Sequence, residues 1–197
     1  VNEVGYSLPQ VSPSKQKPMI PPGAPTSVTL SVFSQDGLTV SFNPPASDGG
    51  DTITAYRVEY AKQSDYSDAK YEYVTLVDTG AKFAKTIQGL TTGTFYYVRV
   101  AATNSQGYGI ATAATPGSLN PHRAPDAPTN VNLRVTSDTM LTVSFGYPEN
   151  DGGDKVTRYK IEWDTVSSFN SFDAYPHKHS VEVPASTDAS YTITLLT

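Results

Sequence analysis

A chain of 197 residues with a net charge of −5 and no cysteine has room for one or two domains. Its charge disfavours nucleic acid and anionic membrane as partners, and it holds neither a disulfide nor a thiolate zinc site. No apolar run nears the ~18 residues of a membrane helix, and fifteen prolines, fourteen glycines and thirteen tyrosines predict an all-β chain of short strands joined by turns. Val1 opens the chain without an initiator Met or a charged-then-apolar leader, so the expectation is a mature or internal segment.

In chain order, residues 1–13 read as a lone strand. Asn2-x-x-Gly5-Tyr6 matches Asn104-x-x-Gly107-Tyr108, which places Val1, Val4, Tyr6 and Leu8 on an orphan strand whose sandwich is absent. A proline-rich linker, residues 14–21, leads into a first unit at 22–117. There Leu38, Val40 and Phe42 alternate with Thr39 and Ser41, Tyr56, Val58 and Tyr60 with Arg57 and Glu59, and Tyr96, Val98, Val100 and Ala102 with Tyr97, Arg99 and Ala101. A period of two puts one face of each strand in a core. Gln35-Asp36-Gly37, Asp48-Gly49-Gly50 and Thr92-Gly93 supply the turns.

After a linker at 118–125, the unit begins again at 126–197. Ala24-Pro25-Thr26 recurs as Ala127-Pro128-Thr129, Leu38–Phe42 as Leu141–Phe145, Asp48–Asp51 as Asp151–Asp154, and Tyr56–Tyr60 as Tyr159–Trp163, all at one offset of 103. A shared offset makes this one duplication of a whole domain. Tyr191–Thr197 matches Lys85–Thr91, so the second unit stops two strands early. Tyr159, Ile161 and Trp163 then form a central strand without one ladder partner. Backbone groups left unpaired in a buried strand are costly, and the expectation is completion by sequence outside residues 124–197, either further along the same chain or from the first strand of a neighbour.

The run Leu90-x-x-x-Thr94-x-Tyr96-x-Val98-Arg99-Val100-x-Ala102-x-Asn104-x-x-Gly107-x-Gly109, with Pro22-Gly23-Ala24-Pro25 before it, resembles a fibronectin type III domain across nearly the whole chain. The resemblance implies tandem immunoglobulin-like sandwiches, with strand E ending near Thr91, strand F over residues 92–102, and the F–G turn at Asn104–Gly107. It implies that Tyr96 is the corner tyrosine, its hydroxyl bonded to upstream backbone. Phe42 and Phe145 depart from the family, which carries a core tryptophan there; packing volume is roughly kept.

Other constellations carry little chemistry. The Asp-Gly-Gly-Asp turns offer two carboxylates each, where calcium takes six to eight oxygens, and read as plain turns. His177 and His179 share a face if both lie on a strand, but no Cys or spaced carboxylate joins them, so no metal or other cofactor is expected. No nucleophile elbow, phosphate cradle, Arg-Gly-Asp or Asn-x-Ser/Thr sequon occurs. Ser12, Ser14 and Thr115, next to prolines, are candidate O-glycan carriers. Tyr66, Tyr71, Tyr73 and Tyr97 are candidates to stack on sugars or a partner, or to pair across strands.

The expected function is non-catalytic: a structural repeat of an extracellular or cell-surface fibre or stalk, self-associating or continuing into further repeats. The alternatives are spacer or binding modules of a receptor or secreted enzyme, and a cytoplasmic, muscle-like array.

Overall fold

The computed structural model describes residues 3–6, 8, 17–75, 82–175, 177–186 and 188–194. Val1, the O-glycan candidates Ser12 and Ser14, and Leu195–Thr197 at the end of the expected strand E lie outside them. Residues 3–6 and 8 lie outside any strand, with Val4, Tyr6 and Leu8 87–95% exposed.

The first repeat runs β1 (Thr26–Ser34), β2 (Gly37–Asn43), β3 (Ala55–Ala61), β4 (Lys70–Thr75), β5 (Phe83–Ile87), β6 (Tyr97–Asn104), β7 (Gly107–Tyr108) and β8 (Thr112–Ala113). One sheet has the order β1-β2-β5; the other has the order β4-β3-β6-β7, with β8 also paired to β6. Strand β3 is central, antiparallel to β4 on one side and to β6 on the other. The alternation read from the sequence sets the core: Leu38, Val40, Phe42, Val58, Val98 and Val100 are fully enclosed. Phe42 of β2 and Phe83 of β5 meet Tyr56 of β3 at 4.8 and 5.0 Å between ring centroids, so the two sheets pack face to face.

The second repeat runs β9 (Thr129–Ser137), β10 (Met140–Gly146), β11 (Arg158–Trp163), β12 (His179–Pro184) and β13 (Asp188–Ile193). Its sheets are β13-β10-β9 and β11-β12. Phe145 meets Tyr159 at 4.7 Å and 69°, nearly the geometry of Phe42 on Tyr56. The duplication reaches the backbone: the positive-φ pairs Ser27/Asn130, Gly49/Gly152, Gly50/Gly153 and Tyr66/Phe169 all stand 103 residues apart. Among the described residues this repeat has counterparts of β1 to β5 and none of β6 to β8.

The chain's contacts fall into two compact units that do not follow the repeat boundary. One holds Val1–Leu30, Val40–Lys85 and Tyr97–Gly117; the other holds Ser31–Thr39, Thr86–Tyr96 and Ser118–Thr197.

Candidate assembly interface

The open side of the second repeat is best measured against the first. In the first repeat Val28 and Leu30 of β1 are 4% and 6% exposed; their counterparts in β9, Val131 and Leu133, are 64% and 58% exposed. Leu141 and Val143 of β10 are half-buried where Leu38 and Val40 are enclosed. In the first repeat the cover over β1 comes from beside β6: the Leu30 N–H donates to the Thr115 carbonyl and the Thr115 N–H to the Val28 carbonyl, at 2.9 and 3.0 Å. No such strand covers β9 among the described residues. A groove of about 450 Å³ lies there, lined by Val131, Leu133, Leu141, Ile161, Trp163 and Ile193.

Tyr159, Ile161 and Trp163 therefore sit together as the sequence places them, on β11, which ladders with β12 alone among the described residues. Tyr159 and Ile161 are buried against Phe145, Val156 and Ala189. Trp163 is half-buried, 6.1 Å from Tyr191 and 5.5 Å from His179 between ring centroids.

Tyr96 is 5% exposed and its hydroxyl accepts a hydrogen bond from the Thr91 N–H at 3.1 Å. Tyr96→Phe leaves that amide without this acceptor and is expected to destabilise the first repeat by about 1–2 kcal/mol. Equal urea midpoints for variant and parent would remove the corner role.

The outer face of β3 is covered by its own long side chains. Glu59 is 2% exposed, held by Arg57 at 2.5 Å and by the Arg99 guanidinium. Arg57 stacks on Tyr108 at 4.0 Å and on Tyr71 at 5.2 Å, and Arg99 stacks on Tyr66 at 4.0 Å. Two of the four tyrosines singled out for stacking, Tyr66 and Tyr71, thus spend a ring face on guanidinium groups of the same chain.

The histidines part company. His179 starts β12 between the rings of Trp163 and Tyr175. His177 is in the preceding turn rather than on a strand, because its N–H and that of Lys178 both donate to the Ala174 carbonyl. They do not share a strand face, and no group of three or more His, Cys, Asp or Glu suited to a metal occurs among the described residues.

Asp164, just past β11, has its side chain enclosed and fixes the loop that follows through the Val166 and Ser171 N–H groups. Desolvation, the largest single influence, raises its pKa. The Ser171 hydroxyl, the Val166 and Ser171 N–H groups and the Lys178 charge together outweigh it and hold the carboxyl at about 2, below its ordinary 3.8. A depressed pKa means the stabilisation is complete above the ordinary value and fades as pH falls toward the folded one. Trp163 fluorescence is expected to report loosening of this loop between about pH 4 and pH 2, and Asp164→Asn to remove that acid step. An unchanged acid profile in the variant would contradict the assignment.

Sequence reasoning missed how the Asp-Gly-Gly turns are used. Their carboxylates are occupied internally: Asp48 accepts from the Gly50 N–H at 2.7 Å and Asp151 from the Gly153 N–H at 2.9 Å. Their backbone carries the incoming linker. Ile20 N–H donates to the Gly49 carbonyl and Gly23 N–H to that of Ser47; Arg123 and Asp126 do the same to Gly152 and Asn150, all at 2.9–3.0 Å. A Cβ on Gly49 would stand 2.1 Å from the Ile20 oxygen, and one on Gly152 would stand 2.3 Å from that of Arg123, so only glycine fits. In the first repeat Asn104, 6% exposed, ties the assembly shut by donating to the Ile20 and Asp48 carbonyls at 2.8 and 2.9 Å.

A family model described as fibronectin type III domain matches residues 23–118. Similar curated proteins include the human ankyrin repeat and fibronectin type-III domain-containing protein 1, 39% identical over 100 residues, which are 51% of this chain and 9% of that protein. Fast-type myosin-binding protein C of Gallus gallus is 31% identical over 142 residues, covering 72% of this chain and 12% of that one. Neogenin of Rattus norvegicus is 34% identical over 137 residues, covering 66% and 10%. The chain thus spans about a tenth of the length of these relatives. Among solved structures, the FN5 domain of Drosophila Lar is 24% identical, covering 51% of this chain and 96% of that one with a TM-score of 0.40. Domains A168-A170 from titin are 26% identical, covering 51% and 32%, with a TM-score of 0.39.

Proposed function

We propose, from residues 23–118 belonging to the fibronectin type III family, that the chain is a non-catalytic structural module of a tandem array in an extracellular fibre, filament or surface stalk. Its second repeat is completed by sequence from outside residues 124–197. The observation that carries this is the contrast between Val28 and Leu30, buried at 4% and 6%, and Val131 and Leu133, bare at 64% and 58%. Equal residues at equal places in two copies differ only in whether a strand covers them.

The occupant's chemistry follows from the first repeat. It is an extended segment antiparallel to β11, with large apolar residues at alternate positions as in Tyr96, Val98 and Val100, and an Asn at its end as in Asn104. That Asn would reach the carbonyls of Arg123 and Asp151, the counterparts of those Asn104 holds. The donor is a later segment of the same longer protein, or the 1–13 segment of a neighbour, in which Val4, Tyr6 and Leu8 stand exposed; since 1–13 resembles strand G, it serves only with Val1 to Tyr6 in the central place beside β11. The tandem sandwiches and the proline-rich linkers support a load-bearing or spacing role. The alternative, spacer or binding modules attached to a receptor or an enzyme, differs in repeat number.

The intact mass of the native protein, followed by mapping of its repeats, tests the proposal. Many repeats of this type are expected; one or two joined to a large foreign domain would favour the alternative. Deleting residues 1–13 separates the two donors. Loss of end-to-end association with the first repeat still folded identifies the neighbour's strand, and retained β11 protection identifies the same chain.

A further inference from the structure

The joint between linker and repeat is seen occupied once and bare once. Inside the compact unit that holds Ser31–Thr39, Thr86–Tyr96 and Ser118–Thr197, the linker and the turn at Thr92–Gly93 close on Gly153. The Gly93 N–H donates to the Pro121 carbonyl at 2.9 Å, and Tyr96 and Leu119 exchange two backbone hydrogen bonds. Asn120, 6% exposed, donates from Nδ2 to the Gly153 carbonyl at 2.6 Å. A Cβ on Gly153 would lie 2.7 Å from the Gly93 nitrogen and 2.6 Å from Thr92 Cγ2. The two glycine backbones thus lie close together: a side chain on Gly153 would collide, and one on Gly93, at φ +76°, would be strained. Gln35 extends the seam, its carbonyl accepting from the Thr92 hydroxyl and its Oε1 from Arg123 Nε.

The first unit carries the same receptor without its occupant. The linker crosses Gly49 as it crosses Gly152, and Gly50 holds φ +84° against +90° at Gly153. Yet among the described residues the atoms nearest a Cβ on Gly50 are the Pro18 carbonyl and the Lys17 side chain rather than the backbone of another turn. Pro18 is exposed where its counterpart Pro121 is enclosed, and Lys17 is exposed where Asn120 is buried. Lys17 and Pro18, whose counterparts lie inside the seam of one copy, are exposed in the other, and Gly50 is half-buried as Gly153 is.

We propose that Gly50, Lys17 and Pro18 form a docking surface for the Thr-Gly turn of another repeat of this same type. The turn glycine donates its N–H to the Pro18 carbonyl and lays its backbone on Gly50, as Gly93 does on Pro121 and Gly153. The Asp-Gly-Gly turn is then the socket of each module, and the strand E-to-F turn is the plug of the one before it. This rests on the tandem-array reading but concerns the joint rather than the missing strands.

The test joins a further copy of residues 22–117 to Lys15 of the full chain, at the spacing the resident linker uses, and reads amide exchange at the added copy's counterparts of Gly93 and Tyr96, whose N–H groups donate to the linker carbonyls in the occupied joint. Docking is expected to slow exchange there at least about tenfold. Valine at the added copy's turn glycine, the counterpart of Gly93, should abolish the protection while leaving residues 22–197 unchanged. Lys17→Asn restores the amide that Asn120 supplies and should slow exchange further, without touching the core. No protection from the added copy, or protection indifferent to both changes, overturns the proposal. Gly153→Val in the unextended chain keeps the two readings apart. Faster exchange at Gly93 and Leu119 is expected, and with it a failure at the added copy's turn condemns only the docking surface. Unchanged exchange at Gly93 and Leu119 removes the joint itself.

Discussion

Joining a copy of Thr92–Ser118 after Thr197 is expected to raise the stability of the second repeat by about 3 kcal/mol or more. The added strand carries Val131 and Leu133 from more than half exposed to buried, and full burial of such a side chain is worth about 1.5–3 kcal/mol. It also closes the groove along Leu141, Ile161 and Trp163 and pairs the second edge of β11, while the cost of ordering the new segment offsets part of the gain. Trp163 is the single tryptophan of the chain, so its fluorescence in urea reports this repeat alone. A higher midpoint with a larger slope is expected, because more surface is exposed on unfolding. An unchanged Trp163 transition would mean that the second repeat needs no further strand.

Glu59→Ala carries the other large effect. The carboxylate is 2% exposed and bridges Arg57 and Arg99, and removing one partner from a buried ion pair costs about 3–5 kcal/mol. Both guanidinium groups keep partial access to water, with side chains 26% and 37% exposed, so the lower end applies, about 3 kcal/mol. For a domain of this size that is a fall of ~10 °C or more in Tm. Glu59→Gln keeps the shape and should lose less. A Tm within about 2 °C of the parent for Glu59→Ala would show that the stacked Arg57–Tyr108 and Arg99–Tyr66 pairs hold the face alone.

These two residues mark where sequence reading reaches and where it stops. The offset of 103 and the period of two placed β2, β3, β6, β10 and β11, because such signals are local and the duplication states them twice, while strand E, read at Lys85–Thr91, lies at Phe83–Ile87. The same alternation assigns Glu59 to the outward face, and it is there. That its own sheet buries it is a matter of how Arg57, Arg99 and three tyrosines lie down over one another, which no period encodes. Tyr60 errs the other way: alternation places it with Tyr56 and Val58, yet it is only half-buried.

The glycine turns are a sharper case. Asp48-Gly49-Gly50 and its copy read as turns from composition alone, and positive φ at all four glycines agrees. Why two successive glycines are needed is set by partners far along the chain. Gly152 yields to the linker at Arg123 and Gly153 to the turn at Gly93, sixty residues upstream. His177 fails for the opposite reason, since a local turn onto the Ala174 carbonyl removes it from the strand its spacing suggested.

The central claim, that a strand from outside residues 124–197 completes the second repeat, is tested most directly by amide hydrogen exchange along β11 in the native, assembled protein. Strand β3, laddered on both edges, is the internal standard. The account predicts that Arg158–Trp163 exchange as slowly as Ala55–Ala61 in the assembled protein, and far faster at alternate amides in the isolated 197-residue chain. Fast alternate-amide exchange in the native assembly, equal to that of the isolated chain, would contradict it.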